Sequence, residues 1–292
     1  MSERLQSDPA TIRAAMGERN GIYENLDEAT YHRHPALSST QARLLLNSPA
    51  RYKYSLTHPQ PRKDAYDLGT AVHTRVLGVG AEVVTYPDEH LTPSGGVSTK
   101  AATVAWAEEQ RANGAVVIGR AQADQVNGMA EAVLADPEAS GILEAIAGRE
   151  VSVFAEVDGV SVRARFDGLS EQGAAFDLKT TADASPQSFE KSITQWGYHV
   201  QTAWYDSAWA AHTGSELQSF DFIAVEKHAP YLVGVYGIDF SFLSIGRELS
   251  ADARALFSSC TATDTWPGYA RTTLAAPTWY LYRHEERHEI QI

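Results

Sequence analysis

The run "AAFDLKTT", residues 174 to 181, places Asp177 and Lys179 inside an otherwise apolar stretch. In a strand, residues two apart share a face and lie roughly 6.5–7 Å apart. Phe176 and Leu178 then face the core, and the aspartate and lysine stand together on the other side. Asp167 lies ten residues before Asp177, and the connection "GLSEQGAA" is short enough to bring the two carboxylates side by side. Two such carboxylates repel and stay ionised only with a cation between them. Oxygen ligands plus water suit Mg²⁺ or Mn²⁺. A lysine beside that ion can orient an attacking water or help deprotonate it. An isolated D-x-K is more often a plain ion pair at a strand edge, so its surroundings must decide.

Those surroundings read as strands with helices on either side. "VSVFAEVDGVSVRARFDG" (151–168) has the pattern of a hairpin turning at Asp158-Gly159, a strong short-range hairpin signal. Its second strand alternates Val160, Val162, Ala164 and Phe166 against Ser161, Arg163, Arg165 and Asp167. "GAAFDLKTT" makes a third strand. "SFDFIAVEK" and "YLVGVYGIDF" make two more. Helices are expected over 38–54, 66–78, about 100–147 in two pieces, "SPQSFEKSITQW", "YHVQTAWYDSAWAAH" and about 240–258; 87–100 and "TWPGYARTTLAAPTWY" read as loops. This order predicts an α/β fold, a single domain with a central mixed β-sheet flanked by helices. No glycine-rich phosphate loop follows any strand.

The chain has 292 residues, 43% hydrophobic and 21% charged, the composition of an ordinary soluble globular protein. No stretch approaches the ~18 apolar residues of a membrane helix, and the N-terminus has no apolar core of a secretory signal. A cytoplasmic location is the expectation. With Cys260 alone, one chain can hold neither a disulfide framework nor an iron–sulfur cluster. The net charge of −13 argues against nucleic acid at first sight, yet residues 29–63 hold six basic side chains and no acidic one. That segment is either a solvated face or a wall turned towards phosphates.

Asp167, Asp177 and Lys179 fit the PD-(D/E)xK nuclease pattern, and further stretches resemble the branch of that superfamily that contains RecE (exonuclease VIII). "GTAVH" (69–73) resembles its helical motif ending in a metal-facing histidine. "QTAWY" (201–205) resembles its Gln-x-x-x-Tyr motif, with Gln201 and Tyr205 on one helix face. "YHRHPALSSTQARLLLNSPARYKY", "FIAVEKHAPYLVGVYGID" and "WPGYARTTLAAPTW" resemble its entry and its later segments, so the likeness spans about residues 21–280. It implies an N-terminal extension over 1–20, a nuclease domain over 21–282 and a polar tail over 283–292.

The resemblance further implies that His73, Asp167, Asp177 and the Leu178 carbonyl hold Mg²⁺ (or Mn²⁺), while Lys179 positions or activates the water. Gln201 and Tyr205 would line the site. Ser38, Thr40, Arg43, Arg51 and Lys53 are candidates for an entering 5′ end. Arg163 and Arg165 would steer the scissile strand or offset the acidic cluster. Glu156 is excluded from the metal shell, because the hairpin sets it opposite Ser161; the residue opposite Asp167 is nearer Glu150. Where some relatives carry cluster cysteines, this chain has "LLNSP", so no iron–sulfur cluster is expected. Trp196, Trp204 and Trp209 read as core. The implied activity is a metal-dependent DNA exonuclease, 5′→3′ on linear double-stranded DNA, leaving 3′ tails for recombination by strand annealing. A ring-shaped homo-oligomer, a RecT-like single-strand annealing protein as partner and a phage or prophage origin go with it. The alternatives are a related single-strand or CRISPR-adaptation-type nuclease, or a catalytically silent DNA-binding module on the same fold.

Overall fold

The computed structural model describes residues 20–58 and 64–289; all but Asn20 of the expected N-terminal extension lies outside them, as do the last three residues of the expected polar tail. Strand β1 (Gly21–Tyr23) is followed by α1 (Glu28–Arg33). Asp27 caps α1, its Oδ1 accepting from the Thr30 N–H at 2.8 Å. The sequence reads as one helix over 38–54, but the chain forms β2 (Leu37–Ser38), α2 (Ser39–Asn47) and α3 (Pro49–Ser55). Ser48 makes the break. Its N–H closes α2 on the Leu44 carbonyl at 2.9 Å, and its hydroxyl accepts from the Arg51 N–H at 3.4 Å to open α3. Pro49 takes the first helical position, where no N–H is needed.

Helix α4 (Asp64–Leu77) lies where "GTAVH" predicts it. Strands β3 (Val83–Thr85) and β4 (Val116–Ile118) pair in parallel on either side of α5 (Ala101–Ala112), forming a small second sheet that the sequence does not announce. Helices α6 (Arg120–Ala135) and α7 (Pro137–Ala145) lead into the hairpin β5 (Gly148–Val157) and β6 (Val160–Leu169). Its turn residues Asp158 and Gly159 have φ of 52° and 73°, as a two-residue primed turn requires. Then come β7 (Ala174–Thr181), α8 (Pro186–Trp196), α9 (Tyr198–Thr213), β8 (Ser219–Glu226), β9 (Val233–Tyr236), α10 (Phe240–Thr263) and α11 (Thr278–Glu289). Helix α11 forms where the sequence reads as loop and polar tail, and Trp279, Tyr280, Leu281 and Tyr282 on it are exposed.

The central mixed sheet runs β1-β5-β6-β7-β8-β9, with β2 off this path beside β6; the β7–β8 and β2–β6 pairs are parallel and the others antiparallel. Both faces are covered. On one, Trp204 and Ala208 of α9, Phe189 and Ile193 of α8, and Ala42 and Leu45 of α2 pack on Val162, Ala164, Phe166 and Phe222. On the other, Ala71 and Val72 of α4 and Met129 and Val133 of α6 pack on Phe176, Leu178, Ile223 and Val225. Burying each large side chain stabilises by about 1.5–3 kcal/mol. Among the described residues no helix is long and apolar enough to cross a membrane.

The edge of β6 decides where a site can form. Strand β5 takes one edge of β6 along nearly its whole length. Strands β2 and β7 must therefore share the other. Strand β2 pairs at Val162 and Arg163, and β7 pairs only at Gly168 and Leu169. Between these two contacts lies a gap in the sheet, at 164–167.

Candidate active site

The gap is held open by Asp167. One step beyond the Gly168–Phe176 pair, where the next rung of an antiparallel ladder would form, the Asp167 carboxylate takes over: its Oδ2 accepts from the Leu178 N–H at 2.7 Å. A strand residue presents its N–H and C=O on the same edge, so Leu178 turns its carbonyl to this gap as well. Phe166 and Leu169, three residues apart, pack in the same core cluster, so the side-chain alternation of β6 breaks at Asp167 and Gly168. Gly168 is required there, since a Cβ would come 2.0 Å from Cε1 of the buried Phe176 ring.

Two further groups reach Asp167. His73, on α4, sets its Nδ1 3.3 Å from Asp167 Oδ2. Glu150, on β5, lies opposite Asp167 by the register of the neighbouring pairs, and its φ of 49° interrupts the ladder there. His73, Glu150 and Asp167 each offer a ligand atom within 4.8 Å of the others, the one such group of three among the described residues. Glu150 was not among the expected ligands, although the Asp158-Gly159 register points to it. The same register puts Glu156 opposite Ser161, as expected.

Asp177 is not in that trio, although its charge reaches His73 and Asp167. Its carboxylate pairs with the Lys179 ammonium and accepts from Gln201 Nε2, and Lys179 Nζ donates to Gln201 Oε1 at 3.1 Å. The lysine also lies 4.7 Å from the centre of the Tyr198 ring. Tyr205, one turn along α9 from Gln201, is buried against Phe166, with ring centres 4.7 Å apart. The expected residues therefore gather round one gap in two subsets: His73, Asp167 and the Leu178 edge, joined by the unexpected Glu150, and Asp177, Lys179 and Gln201.

The electrostatics follow from burial and proximity. Burial works to discharge His73, but the Asp167 carboxylate beside it and Asp177 beyond outweigh this, and its pKa is pushed up to about 9. Burial opposes ionisation of Asp167 too, yet His73, Lys179 and the Leu178 N–H hold its pKa below the usual carboxylate range. Desolvation raises Asp177 against the pull of Lys179. Glu150 is raised by burial and by Asp167, with Arg165 opposing. Two carboxylates and an imidazole thus share a pocket in which a proton on His73 supplies the cationic charge. That is the donor chemistry a hard divalent ion takes, and the residues fit one.

A family model for a "PDDEXK-like domain of unknown function (DUF3799)" matches residues 38–273. The chain belongs to this family. Its fold is similar to that of a "putative exonuclease" from Eubacterium rectale, with a TM-score of 0.59 at 14% identity over 87% of this chain and 96% of that one. The structure of LHK-Exo in complex with dAMP is also similar, at 16% identity over 68% of this chain and 93% of that one, with a TM-score of 0.27. No curated protein matches the chain. The PD-(D/E)xK character expected of the fold is thereby that of the family.

The outer residues expected to contact DNA in this PDDEXK-like chain divide by burial. Arg163 is only 3% exposed, and its guanidinium donates to the His34 carbonyl and, at 3.3 Å, to Gln41 Oε1. It lies beneath α1 and the start of α2, which cover the face that alternation alone would leave to solvent. Arg165 is bound to Ser152 Oγ and the Leu26 carbonyl at 3.0 and 2.8 Å and lies 3.7 Å from Glu150, so it offsets the acids. Ser38 caps α2, accepting from the Gln41 N–H at 3.3 Å. Arg51 and Lys53 tie α3 to the segment after α10, Lys53 reaching Asp264 at 3.3 Å and Arg51 lying over Tyr269. Arg43 is different. It donates to Thr40 Oγ1 at 3.0 Å and to the Trp196 carbonyl, within the electrostatic reach of Asp177. Trp204 and Trp209 are core, but Trp196 is 55% exposed, contrary to expectation.

Proposed function

We propose that the chain is a metal-dependent DNA exonuclease of the RecE type, acting 5′→3′ on linear duplex and leaving 3′ single strands. The observation that carries this is the sheet gap, where His73, Glu150 and Asp167 converge while Lys179 is fixed beside them. Mg²⁺ or Mn²⁺ would be held by that trio, with the Leu178 carbonyl and, on rotation of its side chain, Asp177. Bound there, the ion polarises the phosphate and lowers the pKa of a coordinated water.

The chain's own residues do the rest. Asp177 and Gln201 hold the Lys179 ammonium from two sides and the Tyr198 ring backs it. Held there, the lysine can orient the attacking water and stabilise charge on the phosphate oxygens. Arg165 lies 3.7 Å from Glu150 and opposes the upward push of burial and Asp167 on its pKa. Arg43 is the phosphate contact best placed for the entering strand. The exposed apolar side chains of Tyr269, Leu274 and Trp279 to Tyr282 support assembly into a homo-oligomer. A single-strand annealing partner, a phage or prophage origin and action in the bacterial cytoplasm belong to the same reading.

The test is digestion of linear duplex with Mg²⁺ or Mn²⁺, comparing 5′-phosphorylated, 5′-hydroxyl and circular DNA, with Lys179→Ala alongside. Release of nucleotides from phosphorylated linear DNA alone, lost in the variant, is the expected result. Cutting of circles would make the chain an endonuclease. No cutting with either metal would make it a silent binding module.

A further inference from the structure

Trp196 ends α8 and stands at the rim of the site, and nothing in the reaction as argued so far uses it. Its side chain is 55% exposed, and no ring contact is made to it among the described residues. An exposed indole forgoes about 1.5–3 kcal/mol of burial, and the corner that carries it is unusually well fixed. Gly197 follows in the left-handed conformation with φ of 66°, and a Cβ there would lie 2.7 Å from Arg43 Cδ. Arg43 thus passes directly under the corner. Its guanidinium is held by the Trp196 carbonyl and by Thr40 Oγ1 at 3.0 Å, and its Nε by the Ser39 carbonyl at 3.3 Å. Tyr198, the next residue but one, backs the Lys179 ammonium at 4.7 Å. Two residues of chain span at most about 7 Å, so the backbone that carries the indole lies within that reach of the residue backing the lysine.

An exposed aromatic face next to a clamped guanidinium has the two elements of a single-strand subsite. The ring takes a base of any identity, and the cation takes the adjoining phosphate. Resting on the nuclease reading above, we propose that Trp196 is a stacking platform for an unpaired base next to the scissile phosphate. It holds the strand end after that base leaves the duplex. Arg43 takes the neighbouring phosphate. Trp196 is a positioning residue in this scheme: it fixes the strand and touches no reacting atom.

The experiment uses the whole chain. In a Lys179→Ala background, frayed duplexes carry 2-aminopurine at the first, second or third nucleotide from the end. Fluorescence quenching at one of these positions is expected, lost in Trp196→Ala and kept in Trp196→Phe. With Lys179 intact, Trp196→Ala should raise KM for DNA by about five- to a hundred-fold, from the usual strength of base stacking, with kcat changed far less and the melting temperature unaltered. Trp196→Phe should restore most of KM. Unchanged KM and unchanged quenching in Trp196→Ala would overturn this proposal alone. A wild-type chain that neither binds nor cuts DNA would overturn the nuclease reading and this proposal with it.

Discussion

If His73 is a metal ligand, the ion must displace its proton, and the structure sets how hard that is. Asp167 at 3.3 Å and Asp177 hold the His73 pKa at about 9. At pH 7 only about one imidazole in a hundred is then neutral, against about half at pH 9, so binding at pH 7 costs about 2 kcal/mol more, from 1.36 kcal/mol per tenfold. Mn²⁺ should therefore bind about tenfold more tightly for each pH unit from 7 towards 8.5, levelling off above about 9. Near pH 7.5 each ion should release close to one proton. The metal-free fold runs the other way. A folded pKa above the ordinary 6.5 means that the His73–Asp167 pair stabilises fully below about pH 6.5 and that this contribution, about 3 kcal/mol, is lost as pH rises through about 9. Calorimetric titration in buffers of different ionisation heat reads both the affinity and the proton count, and His73→Gln should abolish the release and flatten the slope. Mn²⁺ binding that is flat with pH and proton-free would refute His73 as a ligand.

Lys179→Met should slow single-turnover DNA digestion by about 10²–10⁴-fold while Mn²⁺ affinity stays within a few-fold; a rate within tenfold of wild type would remove the lysine from the chemistry. Glu150→Gln should weaken Mn²⁺ binding at least about tenfold, whereas Glu156→Gln, at the far end of the hairpin, should not; equal affinities would exclude Glu150 from the site. Gly168→Ala forces a Cβ into the Phe176 ring and should cost about 1–3 kcal/mol of stability, read as a lower melting temperature with weaker Mn²⁺ binding. An unchanged melt would mean that the β6–β7 gap can widen freely.

What the sequence reveals of this site is what lies within one or two strands. The Asp158-Gly159 turn fixes the hairpin register, and with it the distance of Glu156 and the place of Glu150 opposite Asp167. The positive φ of Glu150 has no sequence signal of its own, and the ligand it brings is missed for that reason. The parting of β6 and β7 is a tertiary event: it needs Phe176 over Gly168 and β2 on the remaining edge of β6, and β2 is two residues long, too short for any periodicity. Strands β3 and β4 escape for the same reason. Arg163 shows the opposite failure. Alternation correctly sets it on the polar face of β6, but only the packed fold shows that α1 and α2 cover that face.

On the proposed nuclease reading, a chain of net charge −13 must attract a phosphodiester, and the site indicates how. Three carboxyl groups, Glu150, Asp167 and Asp177, stand beside three basic groups, Arg165, Lys179 and His73. Replacing the single proton on His73 by a divalent ion adds one positive charge, in a buried setting where charge is weakly screened. The field felt by a phosphate in the gap then depends on the ion rather than on the surface of the protein. On this argument raised salt should weaken DNA binding only modestly, with a slope set by few phosphate contacts, while removal of the metal should abolish it. A steep salt slope in the absence of metal would instead place the DNA on the basic 29–63 segment, away from the acidic gap.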